Sequence, residues 1–150
     1  MPSKNHPVRR LDGIEHAADI LGDRWTILIL REAFYGVRRY GELARNLVIA
    51  RNVLASRLKA LVASGLLERR RYRTDPDWYE YVLTESGRDL YGAIVAVLHW
   101  ADTHVAPAGD ERLELRHRTC GHQTYAKVVC SVCGDELDPR DVEVQLADSG

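Results

Sequence analysis

Apolar positions in the first hundred residues repeat mainly with the period of a helix, in blocks separated by glycine. Ile14, Ala17, Ala18 and Leu21 recur at i, i+3, i+4 and i+7, which predicts a short helix ended by Gly22. Asp23 then stands as an N-cap for a second helix, RWTILILREAFYG, whose Trp25, Leu28, Ile29 and Phe34 supply core bulk before Gly36. Tyr40, Leu43, Ala44 and Leu47 predict a third helix. After a turn at 46–49, a fourth runs over 50–64 with Gly65 in the C′ position. The period then changes to two: 67–73 and 78–83 read as strands around Thr74, Asp75, Pro76 and Asp77, a turn-rich tip. A long helix over 84–105 follows, capped by Thr84, with Leu90, Ile94, Val97, Leu98, Ala101 and Val105 as its apolar stripe.

The fourth helix separates its faces cleanly when residues are placed at about 100° intervals. With Leu54 at zero, Leu58 falls near 40° and Leu61 near −20°, a stripe for burial, at about 100° per residue. Asn52, Ser56, Lys59 and Ala63 fall between roughly 140° and 200°, with Arg51 and Arg57 flanking at about 60° and −60°. Such a face is small and polar. It can enter a major groove about 12 Å wide and offers arginine, lysine and asparagine to base edges and phosphates.

Helix-turn-helix followed by an arginine-rich hairpin is the outline of a winged helix-turn-helix, mostly α with a two-stranded wing (α+β). Charge strengthens the outline. Residues 38–73 hold ten basic side chains against Glu42 and Glu68, a balance of +8 in a chain whose net charge is −1. One region therefore faces a polyanion while the remainder is acidic, and double-stranded DNA is the partner this predicts. A solvated face of an ordinary helical domain would explain the fourth helix alone. It does not explain four arginines on one strand of the hairpin, which suit phosphate or minor-groove contact. The expected DNA-binding set is Arg39, Arg51, Asn52, Ser56, Arg57, Lys59, Arg69, Arg70, Arg71 and Arg73.

Composition limits the rest. A chain of 150 residues, 45% hydrophobic, can bury one main core and a small appendage. No apolar run approaches the roughly 18 residues of a membrane span, so no membrane partner is expected. The first residues, MPSKNHPVRRLDG, include basic side chains but no hydrophobic h-region, so a cytoplasmic location is expected. The expected organisation is a flexible tail at 1–10, the winged unit with its long helix at 11–105, a linker at 106–112 and an appendage at 113–146.

The segments AADILGDRWTILILREAFYGVRRYGELARNL, ARNVLASRLKALVASGLLERRRY and YEYVLTESGRDL closely resemble the HxlR-type winged helix-turn-helix transcriptional regulators. The resemblance covers about residues 11–105. It implies a homodimeric, sequence-specific regulator of transcription, with the 50–64 helix as reader and the long helix joining the first helix in the dimer. A two-fold dimer implies an inverted-repeat operator with half-sites about 34 Å apart or a multiple of it. Repression and activation both occur in the family, and an unidentified small-molecule effector is left open. Several members sense oxidants through a cysteine ahead of the first helix. This chain has Leu11, Asp12 and Gly13 there, so a thiol switch would have to use the tail.

All three cysteines lie in that tail, in LELRHRTCGHQTYAKVVCSVCGDELDPRDV. Two knuckle patterns appear: His117-x-x-Cys120-Gly121 and Cys130-x-x-Cys133-Gly134. One histidine and three cysteines would complete a closed tetrahedral Zn²⁺ site, giving the appendage the character of a small zinc-ribbon-like β-hairpin, with residues 121–129 forming the hairpin. His122 is a competing fourth ligand, and matching spacing favours His117. A hairpin with free thiols is the alternative.

No enzyme is expected. His16, His99 and His104 lie on expected helices, and there is neither a glycine-rich phosphate loop nor a nucleophile elbow. A second function stays open beside the regulator: a winged-helix plus zinc-ribbon module that recruits the transcription machinery through protein contacts.

Overall fold

The computed structural model describes residues 13–145. The tail expected at 1–10, the Leu11 and Asp12 positions, and residue 146 of the appendage lie outside these. Among the described residues the order is α1 (Gly13–Leu21), α2 (Arg24–Phe34), α3 (Tyr40–Leu47), α4 (Arg51–Ala63), β1 (Leu67–Arg73), β2 (Trp78–Leu83), α5 (Glu85–Asp89), α6 (Tyr91–His104), β3 (Leu115–Arg116) and β4 (Gln123–Thr124). The chain divides into two compact units, 1–91 and 92–150.

In the first unit, α2, α3, α4 and the root of β1 each turn one apolar stripe inward. Ile29, Leu30, Leu43, Leu54, Leu58, Leu61 and Leu67 are almost fully buried, with Leu47, Ile49 and Leu66 close behind. The spacing 54, 58, 61 fixes which side of α4 is inside, because these positions share one helical face. Partly buried Trp25, Phe34, Val37, Tyr81, Leu83 and Leu90 close the rim of this core.

The start of α2 is held by Asp23, whose carboxylate accepts from the N–H groups of Trp25 at 2.9 Å and Thr26 at 3.2 Å. Its other oxygen lies 3.1 Å from Arg57 on α4, so one side chain both caps a helix and braces its neighbour. Asp23→Ala is expected to lower unfolding stability by about 1–2 kcal/mol, the usual value of an N-cap. Asp23→Asn keeps an acceptor for the cap and loses only a half-exposed ion pair, so it should cost clearly less. Denaturant titration of both variants checks this, and equal losses would show that the ion pair rather than the cap dominates.

The α3–α4 turn pivots on Val48, left-handed at φ 50°, a conformation seldom adopted by a β-branched residue. Glu32 on α2, 7% exposed, anchors the helix that leads into this turn. Its carboxylate accepts from Arg31 at 3.0 Å and from the Asn46 amide at 3.0 Å, tying α2 to the end of α3. A buried carboxylate is tolerated there because both oxygens are hydrogen-bonded.

Strands β1 and β2 pair antiparallel, Leu67 opposite Leu83 and Arg71 opposite Tyr79, with an irregularity before the Arg73–Trp78 pair. The root of this hairpin is fastened twice. The Tyr81 N–H donates to the Arg38 carbonyl at 2.8 Å, and the Thr84 N–H donates to the Leu66 carbonyl at 3.1 Å. Beyond it, the long helix expected over 84–105 is two helices, α5 and α6, separated at Leu90. Thr84 does cap the first, accepting from Gly87 N–H at 3.1 Å. The division has a local cause: Leu90 packs on the winged-unit core, and Gly92 two residues on has weak helix preference.

The second unit holds α6, β3 and β4, and none of its described residues is buried. The hairpin expected over 121–129 is not what forms. Leu115 and Arg116 pair with Thr124 and Gln123, closing residues 117–122 into one loop, and Val129 bridges Glu136 to close a second around Cys130–Asp135. Each cysteine motif is therefore the tip of its own small loop, since the pairing groups flank the motifs instead of lying between them.

Candidate nucleic-acid interface

The outer face of α4 carries Arg51, Asn52, Ser56 and Lys59, all exposed, with small Ala55, Ala60 and Ala63 between them. Nothing bulky stands on this face. Its position is fixed from below by Leu54, Leu58 and Leu61, and at its N-terminal end by the Tyr40 hydroxyl, which donates to the Arg51 carbonyl. Arg57, expected at the flank of the reading face, is half-buried and directed to Asp23. Its guanidinium is committed to holding α4 against the start of α2.

The wing arginines are exposed, and their surroundings differ. Arg70 pairs with Glu80 at 3.0 Å and Arg71 with Asp77 at 3.4 Å. Arg69 lies over the Tyr79 ring at 3.6 Å, and Arg73 stands 5.9 Å from the Trp78 ring centre. Among the described residues no carboxylate pairs with Arg69 or Arg73, so these two carry the unneutralised charge of the wing. Arg39, at the N-cap of α3, lies 4.9 Å over Tyr72 of β1, which brings the third helix and the wing onto one basic surface. Asp77 and Glu80 lie just beyond the basic stretch 38–73, and the strand register that sets Glu80 opposite Arg70 is the sequence signal for the first of these pairs.

In the second unit, His117 Nδ1 lies 3.5 Å from Cys120 Sγ. At Cys130, backbone N–H groups of Cys133 and Val132, then the Cys133 side chain, hold the thiol below the usual cysteine range. Among the described residues, no three His, Cys, Asp or Glu are gathered as a group that could hold a metal ion. His99, on α6, stacks on Tyr125 at 4.3 Å, which is a packing role. No described helix is long and apolar enough to cross a membrane.

A helix-turn-helix with a basic wing defines a DNA-binding regulator of transcription. The family model described as HxlR-like helix-turn-helix matches residues 20–108, and the chain belongs to that family. An uncharacterized HTH-type transcriptional regulator of Mycobacterium tuberculosis is 47% identical over 131 residues, covering 87% of this chain and 83% of the relative. Among solved structures, PA1607, described with its crystal structure as a candidate transcription factor, superposes with a TM-score of 0.81 at 30% identity, over 91% of this chain and 96% of that one. The reduced form of the regulator YodB from Bacillus subtilis gives 0.57 at 33% identity, over 68% of this chain and 100% of YodB. The family and these relatives are transcriptional regulators and not enzymes.

Proposed function

We propose that the chain is a homodimeric, sequence-specific regulator that reads an inverted-repeat operator. Helix α4 enters the major groove, with Arg51, Asn52, Ser56 and Lys59 at base edges and phosphates. Arg39 and the wing grip the backbone, led by Arg69 and Arg73. The observation that carries this reading is the exposed, small and basic face of α4 beside a wing with two uncompensated arginines.

Two-fold assembly is supported by a second observation. Of the six described helices, only α1 and α6 contain no buried residue, yet both are rich in apolar side chains. Ile14 is 77% exposed on α1; Val97 and Trp100 are 55% and 58% exposed on α6. A second copy laid over either helix would remove its apolar surface from water, and a C2 pair would set two reading helices on half-sites about 34 Å apart or a multiple of it. A zinc-ribbon-like appendage at the C-terminal end completes each protomer.

Selection of the full chain against random duplex DNA, with light scattering at micromolar concentration, tests the proposal. The expected result is a dimeric mass and an enriched inverted repeat. A monomeric mass, or recovery of DNA with no shared sequence, would overturn it.

A further inference from the structure

The C-terminal unit builds one backbone design twice. In the first loop, the His117 N–H donates to the His122 carbonyl at 3.0 Å, and the Gly121 N–H donates to the His117 carbonyl at 2.7 Å. In the second, the Cys130 N–H donates to the Asp135 carbonyl at 2.7 Å, and the Gly134 N–H donates to the Cys130 carbonyl at 2.9 Å. The offsets are the same, five residues forward and four back. Gly121 at φ 73° and Gly134 at φ 82° take the same left-handed position, which glycine adopts without steric cost.

Equivalent backbones place equivalent side chains. The first and fourth residues of each loop are His117 with Cys120, and Cys130 with Cys133. The first pair is already within 3.5 Å. Meanwhile no described residue beyond Pro107 is buried, so apolar packing does not hold the two loops in place. A unit this small needs another source of folding energy.

We propose that a single Zn²⁺ joins the two loops, bound by His117, Cys120, Cys130 and Cys133. Each loop is a preformed half-site. The ion draws the halves together into one closed site. Three thiolates and one imidazole suit zinc over magnesium or calcium, and four protein donors leave no open position, so the site folds the unit and performs no hydrolysis. The three thiols give up their protons to solvent as the ion binds. The repeated design also separates His117 from His122. His122 corresponds to Asp135, the residue after the glycine, and its carbonyl closes the loop.

Metal analysis of the full chain, purified without chelator and without DNA, tests the site. One zinc per chain is expected, lost in Cys120→Ser, Cys133→Ser and His117→Ala and retained in His122→Ala. Because a ligand variant could lose metal by misfolding, the unsubstituted chain is also reloaded with Co²⁺. Thiolate-to-cobalt charge-transfer bands with intense visible bands of tetrahedral cobalt are expected. Zinc well below one per chain, octahedral cobalt bands, or loss of metal in His122→Ala with retention in His117→Ala would overturn the proposal. None of these readouts involves DNA, so they fail or succeed independently of the operator reading.

Discussion

Leu58→Ala is expected to lower the stability of the winged unit by about 2–5 kcal/mol, the range for emptying a fully buried leucine site. Leu58 is 0% exposed at the centre of the cluster formed by Ile29, Leu30, Leu43, Leu54, Leu61 and Leu67. The site has little room to collapse, because helices close it on several sides and the wing root on another. Total stability of a domain this size is about 5–15 kcal/mol, so the loss should lower the melting temperature by about 10–30 °C. DNA binding should fall with it, since α4 is held in place from this side. Lys59→Ala, one residue on and exposed, should stay within about 0.5 kcal/mol of the parent. Thermal melts of the pair decide the matter: equal losses would mean that the inner and outer faces of α4 are wrongly assigned.

The second large effect concerns DNA, and it separates gripping from reading. Removing Arg69 and Arg73 together should weaken binding to every sequence alike and flatten the plot of log affinity against log salt by about two units, since each phosphate contact contributes about 0.9 to the slope. Asn52→Ala should do the opposite. It should leave the slope nearly unchanged while costing about 1–3 kcal/mol at the preferred site, a loss of about 5- to 150-fold with relaxed base preference. Gel shifts over a salt series with operator and scrambled duplexes give both quantities. A double arginine variant with the parent's slope would remove the wing from the DNA surface.

Much of the winged unit was legible because its signals are local. Helical spacing of Leu54, Leu58 and Leu61, a capping aspartate at 23 and glycines at 36 and 65 all act within a few residues of themselves, and the strands fall at 67–73 and 78–83 as expected. What escaped depends on partners far along the chain. Arg57 reads as a groove-flanking charge until Asp23, 34 residues earlier, is found beside it. Burial of Glu32 has no local signal, because the Asn46 amide that satisfies it stands 14 residues further on. The division at Leu90 owes as much to the packing of that side chain on the core as to the weak helix preference of Gly92. In the tail, the spacing of the ligand motifs was visible, but not which residues pair, because two-residue strands carry too little pattern to register.

No residue of helix α6 is fully buried. Local opening of such a segment costs little free energy, whereas opening α4 requires breaking the whole core. Anything that covers α6 adds stability in proportion to the logarithm of its concentration over its dissociation constant. The two halves of this molecule therefore obey different controls. Order in the winged unit is written into its own core, while on the proposed assembly order in the C-terminal half would also depend on dilution and on what else the solution contains.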